Sequence, residues 1–120
     1  MKIAKVIKII DENSIVINRG SNDGVKINDI CLVFEIGEEL FDPDSGDSLG
    51  NLEYVKGNGK VTHVQDKIST VETNETKKTR KIRKTITTFS QFITPEEETY
   101  ETELVPFKNL KIGDLVKKIR

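Results

Sequence analysis

Cysteine occurs once in the 120 residues, at Cys31, and histidine once, at His63. A single thiol makes no intrachain disulfide and no zinc site built on cysteines. A lone histidine on a strand, with no second histidine or cysteine beside it, suggests no Cys–His or Ser–His–Asp pairing. The chain also lacks a Gly-x-x-x-x-Gly-Lys phosphate loop, for which Gly57-Asn58-Gly59-Lys60 is too short. No apolar run approaches the roughly 20 residues that cross a bilayer. Nor is there an excess of either charge: Lys and Arg number 19 against 20 Asp and Glu, a net charge of -1. Net charge therefore argues neither for nor against nucleic acid, since a local patch can still bind it. The first ten residues carry Lys2, Lys5 and Lys8 and no small-residue cleavage site, so they do not read as a signal peptide. Cys31 lies inside an apolar run and reads as a small buried hydrophobe. The expected location is a reducing cytoplasm. Neither a catalytic role nor a cofactor is expected.

What the chain does have is a turn-rich stretch feeding an apolar run, Gly20-Ser21-Asn22-Asp23-Gly24-Val25-Lys26-Ile27-Asn28-Asp29-Ile30-Cys31-Leu32-Val33. A shorter version returns as Leu110-Lys111-Ile112-Gly113-Asp114-Leu115-Val116. Glycine takes φ > 0 without a Cβ clash, so Gly24 and Gly113 suit a corner. Val25 and Ile27 alternate with Lys26 and are expected on one face. Asp29 and Asp114 occupy matching places, where a carboxylate accepts a backbone N–H that the kinked chain leaves free. Their expected role is structural.

Taken in order, residues 2–10 fit a helical stripe through Ile3, Val6, Ile7 and Ile10. Their β-branched content and the absence of an N-cap favour a strand. Ser14 to Asn18 is a second strand and forms a hairpin with the first. A third runs from about Ile30 to Ile36. Asp42-Pro43-Asp44-Ser45-Gly46-Asp47 is a turn, with Pro43 pre-setting φ and Gly46 supplying the exit. Leu40-Phe41 and Leu49 flank it as the sides of a hairpin. Asn51 to Val55 is the next strand, with Leu52, Tyr54 and Lys56 on one face. Gly57-Asn58-Gly59 is expected to turn the chain again, into a strand at Lys60–Val64 with Val61 and either His63 or Val64 inward. A strand at about 67–72 and a closing strand at 114–119 complete the set.

The composition changes between Thr73 and Glu103. Lys77, Lys78, Arg80, Lys81, Arg83 and Lys84 place six positive charges within eight residues, and five glutamates lie between Glu96 and Glu103. Such a segment is read as an arm inserted before the last strand, at 73–103, a two-stranded flap whose basic and acidic limbs pair. Thr85–Phe89 and Gln91–Thr94 have strand propensity. The basic run can neutralise phosphates, with Phe89 or Phe92 stacking on bases, which makes nucleic acid the alternative partner. The acidic run close by favours a protein contact. Asp42, Asp44 and Glu53 match the first, third and twelfth places of a calcium loop. Asp47 stands where that loop needs glycine, and an Asp-Pro turn accounts for the residues without a metal.

A wider pattern joins these turns. Val16-Ile17-Asn18-Arg19-Gly20-Ser21, Gly24-Val25, Asp29, Asp42-Pro43, Gly46, Leu49-Gly50 and Val61-x-x-Val64 resemble the C-terminal domain of the bacterial flagellar-assembly T proteins. The likeness covers roughly residues 2–72 and 110–119. It implies a small β-barrel used in protein–protein contact and no catalytic residue. The expected fold is thus all-β: one domain over 1–120, a small barrel of six or seven strands, partly open or closed, with a long extended arm. The expected function is a non-enzymatic protein–protein interaction module, self-associating through the arm, without a membrane span. A nucleic-acid-binding barrel using 77–84 is the alternative.

Overall fold

A computed structural model describes residues 2–83 and 97–120. The strands are β1 (Ala4–Asp11), β2 (Ser14–Ile17), β3 (Ile30–Phe41), β4 (Ser48–Val64), β5 (Ser69–Thr73), β6 (Thr76–Arg83), β7 (Glu97–Leu104) and β8 (Leu115–Lys118). Six of them close an antiparallel barrel in the order β1-β2-β5-β4-β3-β8. Closure leaves the barrel strands without a free edge where they pair on both sides. β6 and β7 form a separate two-stranded sheet.

The core is small and mostly aliphatic. Ala4, Val6, Ile15, Ile17, Cys31, Val33, Val61, Val71 and Val116 are fully buried, with Val25 and Phe107 nearly so. Short β-branched side chains suit the pleated inner face of a narrow barrel, where there is little radius to fill. β1 shows why the helical reading of residues 2–10 fails. Ala4 and Val6 point inward, while Ile3, Ile7 and Ile10 are about half exposed. Period two, interrupted by irregularities after Val6 and Ile9, places them outside.

Three local expectations need correction. Gly57-Asn58-Gly59 makes no turn; β4 runs through it without a break. These glycines instead make room for Phe107. A Cβ on Gly57 would meet the Phe107 ring at 2.8 Å, and one on Gly59 would meet Val71 Cγ1 at 2.3 Å. β3 extends five residues past its expected end and forms the hairpin with β4 through the Pro43 turn. Ile27 does not share the buried face of Val25. It is 59% exposed because Lys26–Asp29 is itself a turn, closed by Asp29 N–H donating to Lys26 O at 3.2 Å. Of the two alternatives at the end of β4, Val64 is the residue packed against the core and His63 is exposed. An irregularity in the β4–β5 ladder between Val61 and His63 changes the phase there.

Candidate interaction surfaces

The two corners are built alike. Asp29 Oδ2 accepts the N–H of Lys26 at 3.0 Å, and Asp114 Oδ2 accepts that of Lys111 at 2.7 Å. In each, the aspartate N–H donates back to the carbonyl three residues earlier. In each, the preceding residue is left-handed: Asn28 at φ 74° and Gly113 at φ 94°. Asp23 closes the same two-way bond with Gly20, followed by Gly24 at φ 82°. The corners also stitch the barrel. The first exchanges backbone bonds with Val61 of β4 and the second with Val6 of β1. Asp29 and Asp114 are therefore occupied by backbone donors that the kinks would otherwise strand.

Their cations differ. Asp29 faces Lys118 Nζ at 3.4 Å, a side chain 38% exposed. Asp114 holds Lys56 Nζ at 2.7 Å, with both side chains almost fully buried. Lys56 falls where the β3–β4 ladder slips a residue, Val33 pairing Gly57 and Phe34 pairing Val55. The bulge turns its side chain toward the second corner. Nζ donates two hydrogen bonds, to Asp114 and to Asn109 O at 2.9 Å, and lies 3.3 Å from the Glu35 carboxylate as an ion pair. A cleft of about 640 Å³ opens beside it, between Glu35, Tyr54, Lys108 and Lys111. The residues around the cleft include no serine, threonine, cysteine or histidine, and the buried Lys56 amine at its base is held by Asp114, Asn109 O and Glu35.

Cys31 is buried, and its thiol is pushed up to about 11 by burial and then by the Asp29 carboxylate, so it is a poor nucleophile. The calcium-loop residues are scattered. Asp42 Oδ1 accepts the Asp44 N–H at 2.9 Å and Gly46, at φ 74°, completes that turn, whereas Glu53 sits up the strand against Lys117 Nζ at 2.9 Å. Pro43 and Gly46 are thus hairpin residues. Among the described residues no group of acids, histidines or cysteines gathers as a metal site. Among them too, no helix is long and apolar enough to cross a membrane.

Two ribbons stand apart from the closed barrel. The first is the arm, eight paired rungs from Thr76↔Leu104 to Arg83↔Glu97. Its register sets the basic strand beside the acidic one, with Lys77 opposite Glu103 and Lys78 opposite Thr102. Arg80, Lys81 and Arg83 lie on β6, opposite Tyr100, Thr99 and Glu97. Among the described residues, no third strand pairs with either edge. Lys84, Phe89 and Phe92, and the strands expected at 85–89 and 91–94, lie outside the described residues. The root of the arm is tied to the barrel. Thr73 Oγ1 donates to Val105 O at 2.6 Å, Val105 N–H to Glu75 O, and Asn74 N–H to Asn58 O.

The second ribbon is the outer part of the β3–β4 hairpin. β8 pairs with β3 only as far as Phe34, and β5 pairs with β4 only from Gly59 onward. Beyond those points neither strand pairs with a third strand among the described residues. Tyr54 braces them, its ring over Gly37 and its hydroxyl donating to Glu38 at 2.7 Å. That bond holds the Glu38 carboxyl below its usual range and raises the Tyr54 hydroxyl. Ile36, Leu40, Phe41, Leu49, Leu52, Tyr54 and Val55 are all exposed here. Every charged residue from 35 to 55 is acidic: Glu35, Glu38, Glu39, Asp42, Asp44, Asp47 and Glu53. The sequence shows the hairpin at the Pro43 turn but not its length or its one-sided charge, although the run from 27 to 55 carries no lysine or arginine. No protein-family model matches this chain, and neither does any curated protein.

Proposed function

We propose that the protein is a non-enzymatic interaction module in which the closed barrel is a scaffold and the arm makes contact with a second copy. The observation that supports this most is the arm itself: a two-stranded sheet outside the barrel, its basic and acidic strands in register and its outer edges unpaired among the described residues. Unpaired strand edges recruit further strands. The complementarity that pairs β6 with β7 within one chain is equally available between two chains, and such a contact weakens with salt. Two of the five basic residues on β6, Lys77 and Arg83, stand directly opposite glutamates, which weakens the strand as a phosphate-binding patch and favours protein over nucleic acid. The resemblance of the turn and strand motifs to the flagellar-assembly T domain, which implies a barrel used in protein contact, supports the same reading. A single buried thiol suits a cytoplasmic location.

The test replaces residues 77–103 with a short Gly/Ser linker. Thr73, Asn74, Glu75, Val105 and Phe107 are kept because they pack or bond onto the barrel. The expected product unfolds cooperatively but no longer self-associates in sedimentation. An unfolded product would make the arm part of the core. A folded product that associates as before would move the contact elsewhere.

A further inference from the structure

The outer β3–β4 ribbon is the largest surface the fold leaves unexplained. Seven large apolar side chains are exposed on it. Scattered exposed hydrophobes are ordinary, but seven within one two-stranded ribbon of so small a domain point to a contact surface. Its charge is just as one-sided, with seven acids and no lysine or arginine over residues 35–55. The chain is near neutral as a whole, so this acidic ribbon is balanced by a basic remainder. A free edge adds direction. β8 lies beside β3 up to the Leu115–Phe34 rung and then leaves at the Asp114 corner. From Ile36 to Phe41 the same side of β3 has no strand partner among the described residues. A shallow cleft of about 290 Å³ opens at that point between Ile36, Lys111 and Ile112.

We infer that this edge of β3 takes an extended segment of a partner protein in which lysine or arginine alternates with apolar residues, added as a strand in line with β8. Main-chain bonds to the free edge supply pairing, and alternate side chains meet the two faces of the ribbon. The apolar ones cover residues such as Ile36 and Phe41 on one face, while the cationic ones meet Glu38 on the other and the turn acids beyond it. Charge rules against the ribbon of a second copy as occupant, since seven acids would face seven acids. The inference rests on the reading of the protein as an interaction module but not on the arm.

The experiment uses the full chain and a labelled short peptide alternating lysine and valine. Two comparison peptides alternate glutamate with valine and lysine with serine. Fluorescence anisotropy is expected to show binding of the first only, weakened about tenfold on going from low to high salt, as screened exposed charge requires. The double substitution Ile36→Ser and Phe41→Ser should abolish that binding while leaving self-association unchanged. Should that variant fail to fold, methyl resonances of Ile36 and Leu40 in the unaltered chain must still shift on titration. Equal binding of the glutamate peptide, or binding indifferent to the double substitution, overturns the proposal. Loss of self-association in the folded double variant would make a second copy the occupant and overturn it equally. Peptide binding without any self-association would instead leave this inference standing and sink the arm reading.

Discussion

Replacing Asp114 by Asn should destabilise the fold far more than replacing Asp29 by Asn, although the two aspartates occupy equivalent corners. Asparagine keeps a side-chain oxygen to accept the Lys111 or Lys26 N–H, so both substitutions spare the corner's backbone bond. What differs is the cation. Lys56 is 5% exposed and loses its 2.7 Å carboxylate partner, keeping only Asn109 O and the half-exposed Glu35. Breaking a buried pair costs ~3–5 kcal/mol, and the two surviving partners put Asp114→Asn at the low end, about 3 kcal/mol. Lys118 is 38% exposed and rehydrates, so Asp29→Asn should cost at most about 1 kcal/mol. In urea, with a slope of about 2 kcal/mol/M, the midpoints should fall by roughly 1.5 M and at most 0.5 M. Adding Lys56→Met to Asp114→Asn removes the stranded ammonium and should recover most of the loss. Equal midpoints for the two aspartate variants, or no recovery in the double variant, would refute the assignment of Lys56 and Asp114 as a buried pair.

Other outcomes follow from the same geometry. Gly24→Val should cost about 1–2 kcal/mol through backbone strain alone, because φ is 82° and a Cβ there meets nothing within 4 Å. Gly59→Ala should cost more than a surface change, about 1–3 kcal/mol by overpacking, since its Cβ would lie 2.3 Å from Val71 Cγ1; urea midpoints check both. The Cys31 thiol is raised from 9.0 to about 11 in the fold, so the fold favours the neutral thiol. That contribution is fully present below pH 9 and is lost as pH rises toward 11, about 3 kcal/mol in all. The decline should flatten in Cys31→Ala. Millimolar calcium should leave the melting temperature unchanged, because a ligand of the native state alone must raise it.

The barrel was legible because its strands alternate and its turns carry their own chemistry. Asn22-Asp23-Gly24, Asp42-Pro43 and Gly113-Asp114 all mark places where the chain changes direction. The charge break at Thr73 marked a separate paired segment, which β6 and β7 form. Glycine misled at Gly57 and Gly59, which lie inside β4 and leave space for Phe107 and Val71 instead of turning the chain. Lys56 was read by strand parity as one of a face with Leu52 and Tyr54, but a bulge and a carboxylate distant in sequence bury it. No local pattern announces such a pair. The Pro43 hairpin was legible but its extent was not, because the strands on either side were read as short, and only the observed register shows how far the two outrun their neighbours.

The central claim, contact through the arm, is tested most directly by sedimentation of the intact protein across a wide concentration range at low and high salt. Concentration-dependent association that recedes as salt rises is the predicted result, as opposed strand charges require. A single monomeric species at every concentration and low salt, or association indifferent to salt, would contradict it.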